Sequence, residues 1–305
     1  MIKKISIIGA GGVGSNAAFS ILNRIPPKEL VLLDISPGLA KGVSLDLEDT
    51  RGILNFPTQI KGTDNYSSIK NSNIIVITAG VARKKGMTRL DLLKINGAIA
   101  RKISLKIKKL APGAIVIVVT NPLDIITYIV ASVTGFRRAR VLGMGPSLDT
   151  SRLFNIIYSL GKIPPFFLKG FVFGSHSKDM IISLERITAK GKKLNILLKR
   201  EKCRKIKQMV QLRGAEIVGH LKNKSACFAP GMAICSLIEA IANDENRVIP
   251  VSIMLKGEYG LKNICLGVPC LINRKGAERI VEIKLNPKEK KELKQAQKLF
   301  KECMI

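Results

Sequence analysis

The chain has 305 residues, 46% of them hydrophobic, which is enough for one large core or for two lobes. It carries 51 Lys and Arg against 22 Asp and Glu, a formal net charge of +29, but only 5% of its residues are aromatic. Such a composition offers few platforms on which single-stranded bases could stack, and it argues against specific nucleic-acid binding. No apolar run reaches the roughly 18 residues that span a bilayer, so we expect no membrane segment.

The cysteine pattern excludes two further classes. The six cysteines form no CxxC pair, and neither of the two histidines stands at a metal-ligand spacing from them. This pattern argues against a zinc site and against a disulfide framework. We therefore expect no metal ion and a reducing, cytoplasmic environment.

The first half of the chain alternates short apolar runs with helical stretches. The alternation predicts βαβ units, and hence a Rossmann-type α/β fold with a parallel sheet and helices on both faces. The predicted strands lie at 4–9, 30–34, 73–80 and 114–120, and the predicted helices at 13–24, 38–49 and 89–110.

The pattern changes near residue 145, where longer helices begin to mix with strands. This change predicts a first domain over residues 1–144 and a mixed α+β domain over residues 145–305. In the second domain we expect helices at about 147–160, 201–221, 230–243 and 287–302, and strands at about 169–173, 180–188, 248–254 and 263–272.

A glycine-rich motif, "GAGGVG" at 9–14, follows the first predicted strand and precedes a helix. Gly9, Gly11 and Gly14 would allow a tight turn and let the backbone approach a pyrophosphate at the helix N-terminus. Asp34 ends the next strand, where a carboxylate can accept hydrogen bonds from a ribose and repel a 2′-phosphate. The motif therefore predicts NAD rather than NADP. Glycines that serve only helix–strand packing are the ordinary alternative.

Four later stretches carry polar side chains that suit one chemistry. Each has an ordinary reading by itself, because arginines are usually surface residues and an Asp–Arg pair three residues apart is usually a weak salt link. Together they supply an imidazole, a carboxylate to orient it and several cations. The stretches are "GVARKKGMTRLDLL" with Arg83 and Arg89, "VTNPLD" with Asn121, "GPSLDTSRL" with Asp149 and Arg152, and "GSHSKDM" with His176.

These motifs, in this order, resemble those of the lactate/malate dehydrogenase family over nearly the whole chain. The most specific are "ITAGVARKKGMTRLDLLKIN" and "VVTNPLD", whereas residues 185–222 match only loosely. The resemblance implies an NAD-dependent oxidoreductase that acts on a 2-hydroxy acid. It also implies a cofactor site formed by Gly9, Gly11, Gly12, Val13, Gly14, Asp34, Thr78, Ala79, Gly80, Asn96, Val119 and Asn121.

The resemblance further implies a role for each catalytic side chain. His176 would accept the hydroxyl proton of the substrate, and Asp149 would orient its ring and stabilise the imidazolium. Arg152 would bind the C1 carboxylate through two parallel hydrogen bonds, and Arg89 would stabilise developing charge on the substrate oxygen. Asn121 would contact the same oxygen and the nicotinamide.

Arg83 is the residue on which the predicted substrate depends, because the family typically has arginine there in malate dehydrogenases and glutamine in many lactate dehydrogenases. A second substrate carboxylate needs a cation once water is excluded, and an unpaired buried charge costs roughly 3–5 kcal/mol. The sequence thus predicts malate/oxaloacetate. A lactate or broader 2-hydroxy-acid dehydrogenase, and a basic polyanion-binding protein of the same fold, stay open as alternatives. We expect a homotetramer or homodimer.

The stretch after His176 departs from the family pattern. Ser177 and Lys178 stand where the family usually has Gly-Asp. Lys178 would lower the pKa of His176 if its ammonium group pointed inward. We favour the alternative, in which Lys178 points to solvent.

Overall fold

The computed structural model describes residues 2–82, 87–222 and 224–303, apart from the side chain of Arg89. Its strands are β1 (Lys4–Ile8), β2 (Glu29–Leu33), β3 (Gln59–Thr63), β4 (Ile74–Ile77), β5 (Ile115–Val118), β6 (Val141–Gly143), β7 (Leu168–Lys169), β8 (Phe173–Gly174), β9 (Met180–Ile181), β10 (Thr188–Ala189), β11 (Lys192–Lys193), β12 (Arg247–Lys256), β13 (Lys262–Asn273) and β14 (Gly276–Ile280). Its helices are α1 (Gly12–Arg24), α2 (Pro37–Asp49), α3 (Arg51–Leu54), α4 (Arg89–Leu110), α5 (Leu123–Thr134), α6 (Gly145–Gly161), α7 (Leu194–Leu197), α8 (Arg200–Leu221), α9 (Phe228–Ala242) and α10 (Pro287–Glu302).

One large sheet runs through the molecule in the strand order β3-β2-β1-β4-β5-β6-β12-β13-β8-β9, with β14 paired to β13. The first six strands are parallel, and β4 and β5 are buried along their whole length because both of their faces are apolar. This arrangement confirms the predicted Rossmann-type α/β fold. Its carboxyl edge, where ligands of such sheets bind, carries the loops after β1, β4 and β5.

The second half of the chain continues this sheet and adds a smaller one. Strands β12 and β13 form a long antiparallel hairpin, and β12 joins the parallel part where Ser252 lies opposite Gly143 of β6. Strands β11, β10 and β7 form a separate three-stranded sheet. The main hydrophobic core contains side chains from both halves of the chain, whereas a second core lies wholly within residues 153–210. A division of the chain at residue 144 stays a prediction.

The predicted strand at 180–188 is wrong, because the structure has two short strands there, β9 and β10, separated by turns. The backbone N–H of Arg186 donates to the carbonyl of Ser183, and that of Ile187 donates to the carbonyl of Leu184. The segment predicted as one strand at 169–173 likewise divides into β7 and β8. Strands β3, β6, β11 and β14 were not predicted. Strand β3 is half exposed and polar, and β6 has only three residues.

The longer helices agree with the predicted periodicity except α5 (Leu123–Thr134), where no helix was predicted. Helix α10 begins with a capping box in which Asn286 and Glu289 each accept a hydrogen bond from the other's backbone N–H, both at 2.9 Å. Such a box satisfies two of the N–H groups that a helix start leaves unpaired. Within the described ranges, no helix is long and apolar enough to cross a membrane.

Candidate active site

The loop between β1 and α1 requires glycine at two positions. Gly9 has a φ of +111°, a left-handed conformation that side chains disfavour, and a Cβ on Gly14 would lie 1.9 Å from the carbonyl oxygen of Gly9. Helix α1 begins at Gly12, and its first backbone N–H groups point out of the helix start without intrahelical partners. The loop is thus a close-fitting cradle that ends in a positive helix terminus, which suits a pyrophosphate.

Asp34 lies beside this loop at the end of β2. Its Oδ2 accepts a hydrogen bond from the backbone N–H of Ala10 at 2.8 Å, and its Oδ1 accepts one from the N–H of Ser36 at 3.0 Å. These two bonds fix the carboxylate against the glycine loop. They leave it partly exposed at the sheet edge, where the ribose hydroxyls of a dinucleotide would meet it.

Three side chains join the loops that follow β1, β4 and β5. The hydroxyl of Thr78 donates to the carbonyl of Gly9 at 2.8 Å, and that of Thr120 donates to the carbonyl of Ala79 at 2.8 Å. Asn96 is 1% exposed, and it bridges the two later loops: its amide nitrogen donates to the carbonyl oxygens of Val81 and Asn121 at 3.2 and 2.7 Å. Thr120 is a site-building residue that the sequence prediction omitted.

The predicted cofactor residues therefore meet at one edge of the sheet. Gly11, Gly12, Gly80 and Asn121 are exposed there, and Val13, Thr78, Ala79 and Val119 are partly exposed. Gly14 and Asn96 are buried beneath the loops, so they support the loop conformation. A glycine cradle, an open helix start and an adjacent carboxylate are the features that a dinucleotide requires, and the residues present fit NAD.

His176 lies between β8 and β9, and Asp149 lies on α6. The Nδ1 of His176 is 2.6 Å from Oδ2 of Asp149, a carboxylate that is 1% exposed. Burial alone lowers the pKa of His176, but the charge and hydrogen bond of Asp149, with help from Asp124, raise it above its usual value. Because this contact engages Nδ1, Nε2 is the ring nitrogen that a bound ligand could contact.

Arg152 lies one helical turn after Asp149 and completes this cluster. Its Nη1 donates to Oδ1 of Asp149 at 3.3 Å, and its side chain is only 13% exposed. Its Nε is buried and makes no hydrogen bond to any residue that the structure describes. A buried donor without an acceptor is costly, so the guanidinium is poised for an anionic ligand. A Cβ added to Gly214 of α8 would lie 3.5 Å from Nη1 of Arg152, so α8 packs closely against the guanidinium.

Two nearby features bear on the histidine itself. A Cβ on Gly145, the first residue of α6, would lie 2.4 Å from Cγ of His176, so only glycine leaves room for the ring. The sequence prediction did not identify Gly145. Lys178 is exposed, as we favoured, and Ser177 accepts a hydrogen bond from the backbone N–H of Asp179 at 3.1 Å.

The other two predicted arginines cannot be placed in this cluster. Arg83 lies outside the described residues, as does the side chain of Arg89. The backbone at Arg89 begins α4 after a capping box in which Thr88 and Asp91 exchange hydrogen bonds of 3.1 and 3.0 Å. The box fixes the direction in which α4 leaves the loop.

Possible metal ligands and the thiols can be examined over the part of the chain that the structure describes. Within the described part of the chain, no group of three or more His, Cys, Asp or Glu side chains is arranged to hold a metal ion. All six cysteines are free thiols, and Cys235, Cys265 and Cys270 are buried.

Asp124, a buried carboxylate close to His176, was absent from the predicted site, although an aspartate in an apolar helix is an unusual signal.

Comparison with known families accounts for both halves of the chain. The lactate/malate dehydrogenase NAD-binding domain matches residues 3–143, and the lactate/malate dehydrogenase alpha/beta C-terminal domain matches residues 147–304. A malate dehydrogenase of Staphylococcus carnosus is 42% identical over 289 residues, covering 94% of this chain and 93% of that protein.

Solved structures of both kinds of enzyme have the same fold. A malate dehydrogenase of Cryptosporidium parvum superposes with a TM-score of 0.95 at 32% identity, covering 99% of this chain and 98% of that one. A lactate dehydrogenase of the same organism, solved with lactic acid and nicotinamide adenine dinucleotide, gives a TM-score of 0.95 at 29% identity over 99% and 97% of the two chains. Backbone similarity therefore does not separate the two substrates.

Proposed function

This chain belongs to the lactate/malate dehydrogenase family, and we propose that it is an NAD-dependent malate dehydrogenase that interconverts malate and oxaloacetate. The observation that carries the proposal is the cluster of His176, Asp149 and Arg152 beside the dinucleotide cradle. It provides a proton carrier, His176, and a carboxylate-binding cation, Arg152, which both contact Asp149. NAD, when bound, supplies the acceptor for the hydride that leaves the hydroxyl-bearing carbon, and NADH returns it.

His176 and Asp149 handle the proton. In malate oxidation, neutral His176 takes the hydroxyl proton at Nε2 while Nδ1–H donates to the Asp149 carboxylate. The carboxylate stabilises the imidazolium that forms. In oxaloacetate reduction, the imidazolium returns the proton to the nascent alkoxide. Because the pKa of His176 is raised, the protonated form persists above its ordinary range, so oxidation is favoured at higher pH than reduction.

Arg152 and Asn121 orient the substrate in this proposal. The unpaired Nε and a terminal nitrogen of Arg152 form the planar edge that binds a C1 carboxylate through two parallel hydrogen bonds. Asn121 is exposed just after β5, and it would contact the substrate oxygen and the nicotinamide. Arg89 would stabilise developing oxyanion charge, a role that rests on its place in the family motif.

Arg83 would select the dicarboxylate. Its cation would pair with the second carboxylate of oxaloacetate, whereas pyruvate would leave it unpaired in a closed site. The excess of basic side chains would favour the same dianion over neutral ligands by raising its local concentration. The sequence motif and charge matching support this assignment.

The decisive experiment measures NADH oxidation with oxaloacetate and with pyruvate side by side. We expect kcat/KM for oxaloacetate to exceed that for pyruvate by several hundred-fold or more, as roughly 3–5 kcal/mol of charge matching would give. Comparable rates with the two substrates would contradict malate as the substrate. Arg83→Gln should lower oxaloacetate turnover and leave the affinity for NADH unchanged, and an unaltered rate would remove Arg83 from the proposal.

We further propose that the chain forms a homodimer or homotetramer in the cytoplasm. Exposed apolar side chains lie on α1, α2 and α9, where α1 contacts both other helices, and include Phe19, Leu39, Leu45 and Met232. Such side chains favour burial against a second copy of this chain. Sedimentation equilibrium tests this point: Leu45→Glu should lower the mass of the assembly, and a monomeric wild type would contradict it. Specific nucleic-acid binding has no place in the proposal.

A further inference from the structure

A buried carboxylate behind the His176 backbone has no part in the function proposed above. Asp124 lies in the first turn of α5 and is 5% exposed. Its Oδ2 accepts a hydrogen bond from the backbone N–H of His176 at 2.9 Å and one from the Ser175 hydroxyl at 3.2 Å. Its Oδ1 accepts a hydrogen bond from the Ser252 hydroxyl at 2.7 Å. One carboxylate thus connects α5, the loop that carries His176, and β12.

Fixing the loop would not by itself require a negative charge. The amide oxygen of an asparagine could accept the same bond from the His176 backbone, and it would avoid the desolvation of a carboxylate. Burial raises the pKa of Asp124 above its usual value, against the opposing hydrogen bonds of Ser252 and His176. Desolvation of the Asp124 carboxylate costs free energy that an asparagine would avoid, so we infer that the negative charge acts on a neighbouring group.

The charged and titratable groups around this site come from four elements. Asp149 and Arg152 face His176 from α6, Asp124 from α5, and Cys265 of β13 faces Asp124. Burial and the neighbouring Asp124 raise the pKa of the Cys265 thiol well above its usual value, so it stays neutral. On the histidine's own loop, Lys178 is exposed and Asp179 hydrogen-bonds with Ser177. Two carboxylates therefore act on His176 against one guanidinium.

We propose that Asp124 is a positioning residue for His176 and that its carboxylate, in addition to that of Asp149, stabilises the imidazolium. Its hydrogen bond to the backbone sets the position of the loop so that the ring reaches Asp149 at 2.6 Å. Its charge adds to that of Asp149 in a buried environment, in which such interactions are weakly screened. The inference rests on the proton-transfer role proposed for His176.

Asp124→Asn separates the two parts of this proposal. The amide oxygen of the variant can accept from the His176 N–H, while its NH2 group donates to the Ser252 hydroxyl, so the shape is kept and the charge is lost. Asp244→Asn is the matched control, because it removes the same charge from an exposed ion pair with Arg274. Asp124→Ala also removes the hydrogen bonds.

The readout is an NMR titration of the imidazole groups, which needs no enzyme activity. The chain has only two histidines, and His220 is exposed at the end of α8, so it serves as an internal reference. In Asp124→Asn we expect the midpoint of the His176 titration to fall by about half a pH unit or more. Asp244→Asn should leave the His176 midpoint unchanged. Superimposed His176 curves for wild type and Asp124→Asn would overturn the electrostatic part.

Kinetics test the positioning part. Asp124→Ala should lower kcat for oxaloacetate about 100-fold, because a displacement of about 1 Å is enough for such a loss, while Asp124→Asn should retain most of kcat at its own optimum pH. Both variants should bind NADH as the wild type does, which also verifies that they fold. Unchanged kcat in Asp124→Ala would overturn this part. A wild type that reduces no 2-oxo acid would instead refute the proposed function and leave the titration result valid.

Discussion

Gly145→Ala is a substitution for which the structure predicts a large loss of activity. The new Cβ would lie 2.4, 2.7 and 2.8 Å from Cγ, Nδ1 and Cδ2 of His176, whereas unstrained carbon contacts need about 3.5 Å or more. The ring or the start of α6 must therefore move by about 1 Å. Such a shift would lengthen the 2.6 Å contact with Asp149 beyond hydrogen-bonding distance.

We expect kcat for oxaloacetate reduction to fall about 100-fold, which corresponds to about 2.7 kcal/mol of transition-state stabilisation. The decrease in NADH absorbance gives the initial rate, and NADH fluorescence gives the cofactor affinity. The affinity should not change, because the cradle lies on other elements. Gly219→Ala in α8 is the control: it makes the same change in a helix where a Cβ has open space around it, and full activity is expected. Full activity in Gly145→Ala would refute the steric argument.

Two further substitutions test the cofactor site and the acid stability of the fold. Asp34→Asn removes the charge that repels a 2′-phosphate, so the ratio of kcat/KM with NADPH to that with NADH should rise about tenfold or more, and an unchanged ratio would count against the role of Asp34. Burial alone raises the pKa of Glu289, but hydrogen bonds from Arg186 and Asn286 outweigh it and bring the pKa to about 2. A lowered pKa stabilises the fold above the unfolded-state value near 4.5, and this contribution is lost as pH falls from there towards 2. Glu289→Gln should therefore lower the unfolding free energy by about 2 kcal/mol at pH 7, and denaturant titrations should show this difference shrinking through that acid range.

The parallel sheet and the dinucleotide cradle were predictable because their signals are local. Buried parallel strands read as continuous apolar runs, and the glycines of the cradle stand in a strand–loop–helix context that few other structures require. Strand β3 escaped prediction because its residues, Gln59–Thr63, gain their partner only when β2 is in place beside them. Its own pattern is too polar to indicate a strand.

The catalytic cluster was predicted in part. His176, Asp149 and Arg152 lie in motifs with recognisable residue types, but their distances depend on how α6 meets the loop after β8. Gly145 matters through a steric relation to a residue far along the chain, which no local pattern contains. Asp124 did leave a signal, a carboxylate in an otherwise apolar helix, but its partners on β12 and on the loop of His176 became visible only in the folded chain.

The sheet that passes from β6 into β12 also affects how the protein unfolds. Helix α1 of the first half packs closely on α9 of the second, where a Cβ on Gly231 would lie 2.9 Å from the backbone of Asn16, and Arg24 forms an ion pair with Glu239 at 2.9 Å. A fragment that ended at residue 144 would expose the edge of β6 and the apolar face of α1, which is a template for aggregation. We therefore expect the second half of the chain to stabilise the half that carries the cofactor cradle, through the packing of α9 against α1.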